Sequence, residues 1–270
     1  MSPRSKSFHQ GHHPDSTNVV VGVRCRDFKG GEGGGAVAVK MDSKEGTCTV
    51  GTQSYAFDKF FAPDSTQQDV YDALGAPLIK NALQGYNSSL IAYGATGSGK
   101  SYSMFNNIQP TPVSPRRESP ATNDRESGEQ QSAGRDAVSP VGKDTGVVPR
   151  ILAALLEEGQ AANDQAANDP DARVRKPHVD LYLDIVEVYL EDVFDLLHGR
   201  TKCRIRGDNT GYRCEGLKPT LVRNFTHAMK MIEEAQKVRS VAATALNDYS
   251  SRAHTIVSVE VRTKHADGWR

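Results

Sequence analysis

The chain has 270 residues, 37% of them hydrophobic and 24% charged, with 33 Lys and Arg against 33 Asp and Glu. That length holds one large α/β domain or two small ones. A formal net charge of zero gives no global attraction to nucleic acid or to a membrane, so an acidic partner must be met by a local basic patch. No apolar run spans a bilayer, no signal peptide is recognisable, and the four cysteines (Cys25, Cys48, Cys203, Cys214) lack metal-type spacing, a pattern that points to reduced thiols in a cytosolic protein.

Residues 1–18 are polar, carry His9, His12 and His13, and read as a disordered tail. An apolar strand is expected over Val19–Arg26. It ends in Arg24 and Arg26 on one face, where arginines either stack on a base or lie in solvent. Gly30–Gly35 reads as a flexible loop with no Lys-Ser behind it, and Ala36–Met41 and Thr47–Val50 as short strands. Ser65-Thr66-Gln67-Gln68 has the form of a capping box opening a helix, with Val70, Leu74, Leu78 and Ala82 on one face. Pro77 inside that helix predicts a kink, costing about 3 kcal/mol if uncompensated.

Ser89–Tyr93 then reads as a short buried strand, followed by Gly94-Ala95-Thr96-Gly97-Ser98-Gly99-Lys100-Ser101. This octet matches G-x-x-x-x-G-K-[ST] at every fixed position. Its glycines let backbone N–H groups curl around a phosphate. Lys100 is placed to reach outer phosphates and Ser101 to ligate Mg²⁺. A helix beginning at Ser101 would turn its N-terminus to the anion.

Asn106–Asp144 is rich in Ser, Pro, Arg, Glu and Gly and reads as a disordered insertion, with Ser114-Pro115, Ser119-Pro120 and Ser139-Pro140 available to proline-directed kinases. A helix is expected over Val147–Glu158 with Pro149 in its first turn. A second polar insertion, Gly159–His178, contains a tandem Gln-Ala-Ala-Asn-Asp repeat and reads as a surface loop. Val179–Leu190 alternates as a strand, and Glu191–Leu197 reads as a turn of helix. Cys203–Val222 reads as a hairpin around Gly207–Gly211, carrying Arg204, Arg206, Arg213 and Lys218 as a basic patch or a solvated edge. Asn224 caps a helix running to about Val241, and a last strand is expected over Thr255–Val261.

Over roughly residues 19–262 these segments resemble the kinesin motor domain. Arg24-Cys25-Arg26 is similar to R-x-R-P at the end of the family's first strand, and Phe57-Asp58-Lys59-Phe60-Phe61 with Thr66-Gln67 and Val70-Tyr71 to F-D-x-V-F…T-Q-x-x-V-Y. Pro77-Leu78-Ile79 resembles P-L-V. Gly85-Tyr86-Asn87…Ala92-Tyr93-Gly94 through Met104 resembles G-Y-N…A-Y-G-Q-T-G-S-G-K-T-Y-T-M. Gly146–Arg150 resembles G-I-I-P-R, Glu187-Val188-Tyr189…Asp195-Leu196-Leu197 resembles E-I-Y…D-L-L, and Asn247…Ser250-Ser251-Arg252-Ala253-His254 resembles switch I, N-x-x-S-S-R-S-H.

The resemblance implies an α/β P-loop NTPase fold, a mixed central sheet with helices on both faces. It implies ATP or ADP and Mg²⁺ as cofactors and a microtubule-stimulated ATPase coupled to movement in the cytoplasm, on the microtubule cytoskeleton. Tubulin, which is acidic, would be met at the Arg204–Lys218 hairpin, with neither nucleic acid nor membrane as partner. By the same resemblance Arg24, Arg26 and Tyr102 line the adenine, and Gly94, Ala95, Thr96, Gly97, Ser98, Gly99, Lys100 and Ser101 form the phosphate loop. Ser101 and Ser251 approach the metal. Asn247, Ser250 and Ser251 belong to switch I, beside the γ-phosphate, Arg239 stands where the family has an arginine near that phosphate, and Arg252 pairs with a glutamate of switch II. Three departures stand out: Asp27 for the proline of R-x-R-P, Ala253 for a switch I serine, and the insertion at 106–144. Between switch I and Arg270 no D-x-x-G of a switch II occurs. The expectation is therefore a motor domain present in its N-terminal part, without microtubule-stimulated turnover by these residues alone. The alternatives are a non-hydrolysing nucleotide- or tubulin-binding module, or a truncated product with no independent activity.

Overall fold

The computed structural model describes residues 19–26, 39–42, 46–106, 141–168, 178–209, 211–244, 252–265 and 268–269. The N-terminal histidines, the loop at Gly30–Gly35, the Ser-Pro dipeptides of the first insertion, and Asn247, Ser250 and Ser251 lie outside the described residues. The chain divides into two compact units, Met1–Asp64 and Ser65–Arg270.

In the first unit, β1 (Gly22–Arg24) pairs in parallel with β5 (Lys59–Phe61). β2 (Val39–Asp42), β3 (Thr47–Val50) and β4 (Gln53–Ala56) form an antiparallel meander. β1 is shorter than the apolar run suggests. The Val21 N–H is taken by the Asp58 carboxylate at 2.8 Å rather than by a neighbouring strand, and Val19 is 81% exposed. Side-chain capture of a backbone donor ends a ladder as effectively as a turn does.

The second unit opens with α1 (Gln67–Val70), and its cap is one residue later than the Ser65-x-x-Gln68 reading. Thr66 Oγ1 accepts the Asp69 N–H at 3.1 Å, and Asp69 Oδ2 accepts the Thr66 N–H at 2.7 Å. Both spacings satisfy the capping rule. The carboxylate prevails over the Gln68 amide because a charged acceptor is the stronger partner at a helix N-terminus. The expected kink at Pro77 takes a specific form: residues Tyr71–Gly75 widen into a π turn, and α2 (Ala76–Leu83) starts afresh behind it. The Ala76 N–H bonds to the Tyr71 carbonyl. Pro77 thereby falls in the first turn of α2, where a missing N–H and a fixed φ cost little. Gly75 is required at this seam, since a Cβ there would meet Tyr71 Cδ2 at 2.8 Å and Val147 Cγ1 at 3.1 Å.

After α3 (Lys100–Phe105) comes α4 (Val147–Asn168), ten residues longer than expected. The repeat read as a loop extends the helix because Ala and Gln propagate helices well. It is also held from both ends: Gln160 donates to Asp164 at 2.7 Å, and Asn163 exchanges hydrogen bonds with the backbone of Val179 at 3.0 and 2.7 Å.

The sheet of this unit is antiparallel, ordered β12 (Gly268–Trp269), β11 (Ala253–His265), β6 (His178–Tyr189), β7 (Asp192–Asp195), β8 (Thr201–Asp208), β9 (Gly211–Glu215), with β10 (Thr220–Leu221) also on β6. β11 runs four residues past the expected end at Val261, because all twelve positions His178–Tyr189 of β6 have partners on it. The helical turn expected over Glu191–Leu197 is instead strand β7. Leu190 adopts φ +55°, which turns the chain back so that Val188 faces Val193 and Tyr189 faces Asp192. A positive φ in a two-residue connection suits the twist of a hairpin better than a helical turn. The hairpin β8–β9 and the helix α5 (Phe225–Thr244), capped by Asn224 accepting the His227 N–H at 2.8 Å, stand as read.

The core lies between β6 and the helices α4 and α5. Leu181, Leu183 and Ile185 interlock with Leu152, Leu155, Met229 and Ile232. Val186, Val193 and Cys203 form a smaller cluster of their own. Burying each such large apolar side chain contributes about 1.5–3 kcal/mol. Asp184, also on β6, is buried. Burial pushes its carboxyl above the ordinary range, a hydrogen bond from Ser258 opposes this, and Asp195 and Glu260 add to it. A raised folded pKa means a contribution to stability that is full at low pH and is lost as pH rises through that pKa. Asp184→Asn is therefore expected to raise the Tm by about 2 °C at about pH 7 and to have no effect at about pH 3, where Asp184 is protonated folded or unfolded. Thermal melts at the two pH values check this.

Candidate nucleotide site

The loop Gly94–Gly99 is bent by its glycines. Gly97 and Gly99 adopt φ +79° and +101°, a region that a Cβ disfavours. A Cβ on Gly94 would come within 2.5 Å of Ser98 Oγ. The Ser98 N–H closes a tight turn on the Ala95 carbonyl at 3.1 Å, and Gly99 caps α3, whose first bond runs from the Ser103 N–H to the Gly99 carbonyl at 2.9 Å. Lys100 folds its ammonium back over this loop, donating to the carbonyls of Gly94 at 2.8 Å and Ala95 at 2.9 Å. Ser101 follows in the first turn of α3, exposed. Curled backbone, the start of a helix, a lysine over the loop and a hydroxyl beside it together make an anion cradle.

Behind the cradle, two buried side chains hold α3 and the segment that leads into α4. Gln67, 2% exposed, donates its amide to the Tyr102 carbonyl at 2.8 Å. Arg150 donates to the carbonyls of Thr145 at 2.8 Å and of Gly142 and Lys143 at 3.0 Å each, and to the Gln68 side chain. Between them, Gly146 lies so close to α3 that a Cβ would sit 2.6 Å from Met104 C and Phe105 N. Neither Gln67 nor Arg150 was singled out from the sequence as part of the site. The available signal was that both belong to motifs shared with the resembled family.

The strand expected in front of the loop is absent. Ser89–Tyr93 has neither strand nor helix, and Ile91 and Tyr93 are 84% and 99% exposed. A strand exists only through a ladder partner, and among the described residues no strand pairs with this segment.

Beyond Ser101 a cleft of about 230 Å³ opens between α3, α5 and the sheet, lined by Ser101, Phe105, Ile185, Ile232, Arg239 and Thr255. The structure thus brings Ser101 and Arg239 to one cavity. Arg239 Nε lies 3.5 Å from Oε1 of Glu187, which has no exposed surface, and Arg200 approaches Oε2 of the same carboxylate at 3.5 Å. Tyr102 is half-exposed on α3. Arg252 precedes β11, exposed, its guanidinium 6.0 Å from the Tyr189 ring centre. Arg24 and Arg26 belong to the first unit, Arg24 half-buried at the end of β1 and Arg26 exposed. The hairpin cations are engaged locally: Arg206 with Glu215 at 3.1 Å, Arg213 with Asp208, and Lys202 with Asp192 at 2.6 Å. Among the described residues no cluster of three or more His, Cys, Asp or Glu is arranged to hold a metal, and no helix is long and apolar enough to cross a membrane.

A model of the kinesin motor domain matches residues 15–268. The chain belongs to the kinesin motor-domain family. The α/β P-loop NTPase fold read from the sequence follows from that membership. Among curated kinesins, the chain is 32% identical to kinesin-like protein KIN-12A of Arabidopsis thaliana over 260 residues, 93% of this chain and 17% of the relative. It is 30% identical to kinesin-like protein Klp61F of Drosophila melanogaster over 79% of this chain and 17% of the relative. It is likewise 30% identical to chromosome-associated kinesin KIF4 of Mus musculus over 92% of this chain and 18% of the relative. The chain therefore spans about a sixth of the length of the kinesins it matches.

Proposed function

We propose that the chain is the nucleotide-binding part of a microtubule motor that couples ATP hydrolysis to movement. The observation that carries this is the cradle itself: Lys100 folded over a glycine loop, with Ser101 opening onto a cleft that also holds Arg239. The residues fit a Mg²⁺-bound nucleotide, since the cradle offers amide donors and an ammonium but no carboxylate to repel phosphate. Ser101 and Ser251 would hold the metal, which supplies neutralisation of phosphate charge. In this reading Gly94, Ala95, Thr96, Gly97, Ser98 and Gly99 wrap the phosphates and Lys100 leaves its carbonyls for the outer ones. Tyr102 lines the adenine. Ser250 and Asn247 orient the attacking water, Arg239 stabilises charge on the terminal phosphate, and Arg252 steadies switch I. Such catalysis is positioning and charge stabilisation rather than covalent chemistry.

Tubulin is the proposed partner, met at the β8–β9 hairpin, in the cytoplasm on the cytoskeleton. Arg204, Arg206 and Arg213 there, with Lys218 just beyond β9, outnumber the acids of the hairpin, Asp208 and Glu215. Co-sedimentation of the whole chain with stabilised microtubules tests this. Retention is expected to be about tenfold tighter with a non-hydrolysable Mg·ATP analogue than with Mg·ADP and to weaken as salt rises. Retention that ignores both nucleotide and salt would contradict the proposal.

A further inference from the structure

The β8–β9 hairpin leaves one backbone edge open. β8 pairs with β7 only over Thr201–Cys203. Over Arg204–Asp208 it pairs with β9, which lies on the other side of β8 in the strand order. Past Asp192, where β7 begins, the flank of β8 borders a second cleft, of about 440 Å³, whose lining includes Glu191, Asp192, Val193, Arg204, Ile205 and Arg206. Among the described residues none from β9 lines that cleft, and no strand pairs with this flank of β8. An open flank presents N–H and C=O groups with which a further strand can pair.

The side chains along the edge select that strand. Lys202, Arg204 and Arg206 alternate along β8 and so share one face. Glu215 stands opposite Arg204, and Arg213 stands opposite Arg206. Like charges placed directly across a ladder are unfavourable. The conflict is relieved on the diagonals: Glu215 takes Arg206 at 3.1 Å, and Asp208 takes Arg213. Lys202 is held by Asp192 at 2.6 Å. Arg204 is left over. It is exposed, and among the described residues its guanidinium has no hydrogen bond or ion pair. On the other face Ile205 is 56% exposed. A cationic edge repels a copy of itself and favours a segment with carboxylates at alternate positions. Apolar residues between those carboxylates would cover Ile205.

We propose that the β8 edge over Arg204–Asp208 binds an extended acidic peptide by strand addition. A carboxylate of the peptide meets Arg204, and its intervening apolar side chains lie over Ile205. Backbone pairing supplies affinity, and the two unlike faces supply specificity. The edge is about 17 Å long, the span of about five residues of added strand. This goes beyond the tubulin reading of the same hairpin, which concerns charge alone, and it does not depend on the nucleotide site.

The probe is a fluorescent peptide, Glu-Val-Glu-Val-Glu-Val-Glu, titrated into the whole chain and followed by anisotropy. Saturable binding that weakens as salt rises is expected. Glu-Glu-Val-Val-Val-Glu-Glu has the same composition without the alternation and should bind at least about fivefold more weakly. Arg204→Ala should weaken the alternating peptide about tenfold, with a Tm within about 2 °C of wild type because Arg204 holds nothing else in place. N-methylation separates strand addition from charge attraction. In an added strand every second N–H points at β8, so methylating one alternate set of residues should abolish binding and methylating the other should leave it within about twofold. Equal binding of the two peptides, or equal effects of the two methylated sets, would overturn strand addition. Binding indifferent to Arg204→Ala would overturn the assigned edge. A chain that sediments with microtubules yet binds none of these peptides would overturn the proposal and leave the tubulin reading standing.

Discussion

Lys100→Ala is expected to weaken binding of Mg·ADP and Mg·ATP analogues by about 10- to 100-fold, the range given by losing one or two hydrogen bonds to charged oxygens at about 1.5–3 kcal/mol in total. The fold should not suffer. The ammonium donates to the Gly94 and Ala95 carbonyls, at 2.8 and 2.9 Å, and these belong to a largely exposed loop that water can solvate. The Tm should therefore stay within about 2 °C of wild type. Titration of each variant with fluorescent nucleotide, paired with a thermal melt, separates the two quantities. A large Tm drop would mean that Lys100 is a structural clamp on the loop, and undiminished affinity would mean that the cradle is not where phosphate sits.

The second large effect concerns stability. Arg150→Ala removes a buried guanidinium that satisfies three backbone carbonyls and the Gln68 side chain. Those carbonyls belong to Gly142, Lys143 and Thr145, which lead into α4. Thr145 is buried, Gly142 partly so and Lys143 exposed; a buried acceptor left without a donor costs about 1–3 kcal/mol, so a loss of about 2–4 kcal/mol is expected against the 5–15 kcal/mol of a typical domain. Because α3 meets this segment backbone to backbone at Gly146, the loosening should spread to the cradle. Urea unfolding reads the first effect, and hydrogen exchange at residues 100–105 the second. Arg150→Lys should restore little, since an ammonium cannot reproduce the fork of donors.

The sequence made the cradle legible because its chemistry is local: glycines, a lysine and a serine at fixed spacing dictate a curled backbone with donors facing inward. The helix cap at Asn224 and the hairpin around Gly207–Gly211 were legible for the same reason. Harder to read were features whose cause lies elsewhere in the chain. Ser89–Tyr93 has the apolar content of a strand, but content alone supplies no ladder partner. Asp192–Asp195 looked helical until the positive φ of Leu190 turned it onto β6. The alanine-rich repeat is polar like a surface loop, and the anchoring of Asn163 to Val179 that holds it as helix is a tertiary contact. Glu187 gave no local sign of its two arginines, which arrive from positions 200 and 239 through tertiary packing.

The glycine loop, Lys100 and Ser101 are proposed above to bind a magnesium nucleotide. The most direct measurement is a titration of fluorescent Mg·ADP into the whole chain, with and without EDTA, in parallel with Lys100→Ala. Saturable binding is expected, which unlabelled ATP displaces, EDTA weakens and Lys100→Ala reduces by at least about tenfold. A folded chain that binds no nucleotide, or binds it equally well without Lys100, would contradict it.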